Sequence, residues 1–366
     1  MAIAVICCIS TAFAGRPDED RDIREFLQKL YASRAELLLQ GDDKLVSDFY
    51  SDQEALSRHA KRMELKRSSY LRAWAERRNV KLVSAEPAIR IVRLKKDSGA
   101  VRASLVQSMK LTYRYDNPLL PPHHFGIGTR HSLTLRQIDG KWYVAKEWYL
   151  DPFDENPDLI PARVQRRGIK PPADQASAAA QTGKRGDIRF NREQALAYAN
   201  KYAGSAWGAG NDNRYNRNYR DYTGLGGDCT NFVSQVLGDP KEGGGLPMRH
   251  GWRYSKTAGG SVSWVRTDNF KQFILYSGYG KLVAKGTFSE LMKPTKQYEK
   301  GAFQGLLPGD VIGYELEGDI DHFAVFVGFD DNGYPLVNCH TTDRFRTPFD
   351  LGWDRTTRYW LIHIVE

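Results

Sequence analysis

Apolar side chains at Ile23, Phe26, Leu27, Leu30 and Tyr31 recur at the three- and four-residue spacing of one helical face, and Leu56, Met63, Tyr70 and Trp74 continue that period into a second helix. The period then shortens to two. Residues 101–115 (V-R-A-S-L-V-Q-S-M-K-L-T-Y-R-Y) and 132–149 alternate as strands, the second doubling back at Asp139-Gly140 as a hairpin. Helices followed by a curled antiparallel sheet predict an α+β accessory domain over residues 20–155. From 156 to 187 the apolar period disappears, and K-P-P-A-D-Q-A-S-A-A-A-Q-T-G-K within it has the composition of a linker, which predicts two halves that move independently. A second domain follows at 188–366. Its pattern predicts a helix near 193–202, a polar Asn- and Tyr-rich loop at 211–222, a helix from 229 with Phe232, Val233, Val236 and Leu237 turned inward, and strands at 321–329 and 334–343.

A chain of 366 residues suits two domains with a core each, and 41% hydrophobic with 12% aromatic residues is ordinary globular chemistry. The apolar run at 1–14 is too short to span a bilayer and ends in Ala12-Phe13-Ala14, a cleavage-site pattern. It reads as a signal peptide, although it lacks the usual basic start, and the expected location is secreted or bound to the cell envelope, with no stable membrane span. The formal charge of +9 favours an anionic envelope polymer as partner. Nucleic acid is not expected, because the basic residues are scattered, with clusters only at Lys95-Lys96 and Arg166-Arg167, and no binding motif accompanies them.

Four cysteines are present, two of them (Cys7, Cys8) in the leader, so a disulfide framework is excluded and one Cys229–Cys339 bond is the most that could form. Cys229 lies in G-G-D-C-T-N-F-V-S-Q, where a glycine-rich turn enters a helix. The partial positive charge and free amides of a helix start favour a thiolate there, and Asp228 suits the N-cap. The matching base is His322, which opens the strand D-H-F-A-V-F-V-G-F, with Ala324 and Phe326 on its own face and Phe323, Val325 and Val327 on the other. A third residue would orient its ring. Asn338 and His340, two apart on the next strand, share a face and either could serve, while Cys339 points away. Trp252, Tyr254 and Trp264 shape a cleft or pack in the core, Asp310 fixes a turn rather than joining the chemistry, and Asp343 either braces the segment after His340 or caps a loop. No cofactor is expected. A metal site built from Asp319, Asp321, His322 and His340 lacks any metal-ligand spacing, and His123-His124, after two prolines, are expected to face solvent. Trp142, Tyr143, Trp148 and Tyr149 are expected to form sheet core rather than a ligand groove.

The motifs G-G-D-C-T-N-F-V-S-Q, W-R-Y (252–254), S-x-S-W (261–264), L-P-G-D-V (307–311), D-H-F-A-V (321–325) and C-H-T-T-D (339–343) occur in the order found in the "putative amidase" domain family of mainly Gram-positive bacteria. With F-N-R-E-Q-A-L-A-Y-A-N-K-Y-A (190–203), the resemblance runs from about residue 187 to the C-terminus. That family is similar to NlpC-like and CHAP cysteine hydrolases of papain-like fold, in which a helix carrying the cysteine packs on an antiparallel sheet carrying the histidine. The resemblance implies Cys229 as nucleophile, His322 as base, His340 ahead of Asn338 as third residue, and amide hydrolysis, with a cell-wall peptide or another amide as substrate. A silent wall-binding module and an acyltransferase are the alternatives. The first half is loosely similar to cone-shaped domains related to nuclear transport factors and cystatins.

Overall fold

The computed structural model describes residues 17–97, 99–153, 155–164 and 190–366. The leader at 1–14 and most of the linker at 156–187 lie outside the described residues. Helix α1 (Pro17–Gln40) buries Ile23, Leu27, Leu30, Tyr31, Leu37 and Leu38. Helix α2 (Ala55–Arg78) buries Tyr70, Leu71 and Trp74 as expected, but the same inward stripe carries Ser57, Glu64, Arg67 and Ser68. Leu56, assigned to that stripe from its spacing, is 56% exposed. Polar residues hide the true phase of α2 from a hydrophobic pattern, because Glu64 and Arg67 are buried among ion-pair partners: Arg34 stands 3.7 Å from Glu64, and Arg67 3.5 Å from Asp151.

Four strands curl around these helices: β1 (Val80–Asp97), β2 (Ala100–Tyr115), β3 (His123–Ile138) and β4 (Lys141–Tyr149). Strand β1 escaped the sequence reading because bulges between Leu82 and Ser84 and between Ile91 and Arg93 break its alternation. The β3–β4 turn forms where expected, with Asp139 and Gly140 both at positive φ (49° and 79°), the geometry of a two-residue hairpin turn. His123 and His124 open β3 rather than lying in a loop. His123 is buried, with Nε2 2.9 Å from the Arg346 carbonyl, and only His124 is exposed. The aromatic residues of β4 divide: Trp142 packs on the core, whereas Trp148 is 67% exposed.

The second half supplies α3 (Arg192–Lys201), α4 (Cys229–Gly238), α5 (Thr267–Tyr276), β5 (Gly280–Thr287), β6 (Val311–Leu316), β7 (Asp319–Phe329), β8 (Pro335–Cys339), β9 (Asp343–Pro348) and β10 (Arg358–Ile364). All paired strands are antiparallel, and among the described residues they join into one ten-stranded sheet ordered β1-β2-β3-β9-β8-β7-β6-β10-β5, with β4 also on β3. The chain is therefore a mixed α/β structure built on a large antiparallel sheet.

The two halves meet where β3 pairs with β9, Gly126 to Phe345 and Gly128 to Asp343. Both glycines lack room for a Cβ, the first against the Trp207 backbone and the second against Ser205 and Ala206. Asp350 of the second half accepts hydrogen bonds from Trp74 Nε1 (3.1 Å) and Arg78 Nε (2.8 Å) of the first. Asp330 accepts from Tyr113 (2.6 Å) and Tyr115 (2.7 Å), and Leu351 joins the core cluster of Tyr70, Trp74 and Phe153. The independent motion expected from the linker's composition is corrected here: a shared sheet and buried cross-contacts tie the halves together. Among the described residues no helix is long and apolar enough to cross a membrane.

Candidate active site

The turn before α4 holds Gly226 and Gly227 at φ 109° and 132°, a region that favours glycine, and there the Asp228 amide donates to Thr341 Oγ1 (2.7 Å). All ten residues of α4 are buried. Phe232, Val233, Val236 and Leu237 enter the same core cluster as Phe323, Val325 and Val327 of β7, so the inward face read from spacing is the face that packs on the sheet. Cys229 is 7% exposed. Its Sγ lies 3.8 Å from the Thr230 hydroxyl, and that hydroxyl and the backbone amides of Phe323 and Thr230 favour the charged form. Burial nevertheless pushes the thiol above its ordinary value. This corrects the expected thiolate, because loss of water outweighs the amides at the helix start.

Asp228 occupies the N-cap position but makes no side-chain cap. Its carboxylate turns inward, where Oδ1 accepts from the Tyr222 amide (2.8 Å) and Asn231 Nδ2 (2.9 Å), and Oδ2 meets His340 Nδ1 at 2.6 Å. His340 Nε2 donates to the Tyr202 carbonyl (2.7 Å). A carbonyl only accepts, so Nε2 carries a proton and a second proton lies between Nδ1 and Asp228. The His340 ring is stacked between Tyr215 (3.7 Å) and Phe232 (4.1 Å). Tyr215 is in turn held by Asp343, which accepts its hydroxyl at 2.5 Å, so Asp343 does brace this segment.

His322 faces the other way. Its ring lies against Tyr314 (5.4 Å) and Trp353 (5.5 Å), on the side of the sheet that holds Ala324, Phe326 and Cys339. A bulge at Asp321 breaks the β6–β7 register just before it. Asn338 and His340 share a face as strand alternation predicts, but it is the face under α3 and α4: Asn338 Nδ2 donates to the Ala199 carbonyl and to Asn200 Oδ1, both at 3.0 Å. The expectation that His340 or Asn338 sits beside the His322 ring is thus corrected. Strand β8 ends at Cys339, so His340 follows the strand instead of continuing it. Burial, with the charge of Arg344 adding to it, lowers His322 to about 3. Burial also pushes Cys339 up to about 12, and both cysteines are free thiols.

A cleft of about 440 Å³ opens beside Cys229 and Thr230, walled by Tyr222, Gly227, Arg266, Asp268 and Asp321. Trp252 and Trp264 do not reach it. Both are fully buried behind α4, where Trp252 Nε1 donates to Ser234 Oγ and Trp264 Nε1 to Asn231 Oδ1, each at 2.9 Å. Tyr254 is half-buried and accepts the Arg220 amide at 2.7 Å. These three support the helix rather than shape the cleft. Asp310 accepts the Leu307 amide (2.8 Å) and pairs with Arg192, a turn-fixing role. Among the described residues no group of three or more side chains is arranged to hold a metal. Tyr202, Tyr215 and Thr341 fall inside segments the sequence singles out but receive no role there, and Trp353 receives none either, since they act through a carbonyl, a ring face or a distant loop that no spacing encodes.

Residues 189–362 match the family model described as "Putative amidase domain". An uncharacterized protein of Bacillus subtilis, YhbB, is 30% identical over 191 residues, covering 49% of this chain. The chain spans about half the length of that relative, 51%. Solved structures similar to part of the chain include a conserved protein from Planctomyces limnophilus (12% identity, 36% of this chain and 94% of that one, TM-score 0.25). Another is an NTF2-like protein from Cytophaga hutchinsonii (11% identity, 37% and 98%, TM-score 0.22). At these scores they assign no fold.

Proposed function

We propose that residues 188–366 form a cysteine-dependent amide hydrolase of papain-like arrangement, related to NlpC-like and CHAP enzymes and acting outside the cell on a peptidoglycan peptide. The observation that supports this most is the position of Cys229: a thiol at the start of a buried helix, bordering a polar cleft that Asp321, the residue before His322, also lines. In the proposed reaction His322 takes the Cys229 proton, sulfur attacks the amide carbonyl, and the protonated imidazole returns a proton to the departing amine. Water activated by His322 then cleaves the thioester. Asp228 leaves the first-turn amides of α4 uncapped, so they are free to stabilise the oxyanion.

In this reading the structure is a resting state with a neutral thiol and a neutral imidazole, and the start of β7 must rearrange to carry His322 from the Trp353 side of the sheet to Cys229 before chemistry. Asp228 and His340 hold the helix start and take no proton from the substrate. One observation favours a second reading, a silent wall-binding module: burial disfavours the charged form of both Cys229 and His322. Incubation of the protein with peptidoglycan fragments, followed by mass spectrometry, separates the two. Hydrolysis that disappears in Cys229→Ala and in His322→Ala is the expected result. Hydrolysis that persists in Cys229→Ala excludes the cysteine mechanism, and intact fragments with every variant leave the binding module. Products in which the acyl group is joined to an acceptor amine through a new amide, in place of a free carboxylate, would identify an acyltransferase.

A further inference from the structure

The outer face of the N-terminal sheet carries rows of cations. Ala103, Leu105, Leu133 and Leu135 face inward onto α1, so their neighbours along each strand point away from the core. Pairing across β1, β2, β3 and β4 sets these outward residues in line. One row reads Arg93, Ser104, Ser132, Trp148 and the next Lys95, Arg102, Thr134, Lys146. A third begins Arg90, Val106, Arg130. Strands lie about 4.8 Å apart and alternate residues about 6.8 Å, so a four-strand row is about 14 Å long and successive rows are about 7 Å apart.

Arg90, Arg93, Lys95, Arg102 and Lys146 are exposed. Asp97 answers part of that charge, at 2.5 Å from Arg102 and 3.9 Å from Lys95. Among the described residues Arg90, Arg93 and Lys146 have no carboxylate within ion-pair distance. Trp148, 67% exposed, stands at the edge of this field, an apolar plane with a single polar N–H.

We propose that this face docks a glycan polymer bearing phosphodiester groups. The charge is complementary, the rows repeat at a spacing suited to a chain of anions, and the indole offers a flat surface to one sugar ring. Single-stranded nucleic acid is usually gripped by several stacked aromatic side chains, and among the described residues of this face Trp148 is the one that stands largely exposed. The face also runs on toward the second half: Arg130 lies 4.8 Å over the Tyr215 ring and 3.4 Å from Asp343, and Tyr215 stacks on His340, the partner of Asp228. A polymer held here would keep the cleft at Cys229 close to the material it is attached to. That consequence rests on the proposed hydrolase, whereas the docking itself does not.

The test is equilibrium binding of the full chain to sugar-substituted poly(glycerol phosphate), with neutral dextran and an oligothymidylate as comparators, at two salt concentrations. Binding to the phosphate polymer that weakens with salt, and none to dextran, is expected. The Arg90→Gln/Arg93→Gln double variant should bind about tenfold more weakly with a shallower salt dependence. Trp148→Ala should bind about three- to tenfold more weakly without a change in salt dependence. Thermal unfolding of each variant, expected to match the parent, separates a lost surface from a lost fold. Equal binding by parent and both variants, absence of binding to the polymer, or preference for the oligothymidylate would overturn the proposal. Peptide hydrolysis plays no part in the readout, so the docking and the hydrolase can fail separately.

Discussion

At Cys229 two effects compete: the amides of Phe323 and Thr230 favour a charged sulfur, and removal of water opposes it. Burial wins, so the group is a neutral thiol at pH 7. Iodoacetamide should therefore label Cys229 more slowly at pH 7 than it labels free cysteine, with a midpoint above the free thiol's usual value of about 8.5. Fast labelling at mildly acidic pH would contradict this. Cys339, pushed up to about 12 and fully buried, should label only after unfolding. His322 supplies the pH dependence. Its folded value of about 3 lies below the unfolded value, so between the two only the unfolded chain binds the proton, and stability falls as pH drops. The loss at pH 5 is about 2 kcal/mol, from about 1.4 kcal/mol for each pH unit below 6.5. His123 and His131 are lowered by burial and act in the same direction. Urea midpoints at pH 7 and pH 5 should draw together in His322→Gln, and an unchanged gap would contradict the assignment.

On the scale of elements, α4 is held at both ends of its first turn. Its apolar face packs on β7, while Asp228 ties its start to His340 beyond the end of β8. Both members of that pair are about 1% exposed, and removing one leaves the other buried without its partner. Asp228→Ala and His340→Ala should each cost about 3–5 kcal/mol in urea unfolding, and the double variant clearly less than their sum. Additive losses would show that the two do not act as a unit. The helix, the inward face of α4, the hairpin at Asp139-Gly140 and the two faces of β7 were all legible in spacing. Strand β1 was not, since two bulges reverse its alternation, and the phase of α2 was not, since Glu64 and Arg67 occupy inward positions.

On the scale of the whole molecule, the linker does not separate two independent bodies. Arg78 and Asp350 form a buried ion pair at 2.6 Å across the junction, and Trp74 donates to the same carboxylate. Tyr70 reaches the loop after β9, accepting the Gly352 amide (2.8 Å) and donating to the Trp353 carbonyl (3.3 Å). Trp353 is the ring against His322, so the first half supports the wall that shields the proposed base. Asp350→Ala strands Arg78 and should cost about 3–5 kcal/mol. Calorimetry should show the parent unfolding in one transition and the variant in two as the junction loosens. Two separate transitions in the parent would mean that the junction contributes little.

The sequence by itself determined the local structure and the motif order: a cysteine at a helix start, a histidine at a strand start, and two apolar-rich halves, all set by periodicity and turn residues that act over a few positions. Tertiary structure alone decided which face each side chain serves. The register that pairs Asn338 with Val325 sets Asn338 and His340 on the side of the sheet opposite His322, and the spacing within either strand contains no record of that pairing. It also decided charge state, because whether a thiol or imidazole keeps water depends on Trp353, Arg344 and Phe323, which reach the site through strand pairing and loop packing rather than through neighbourhood in the chain.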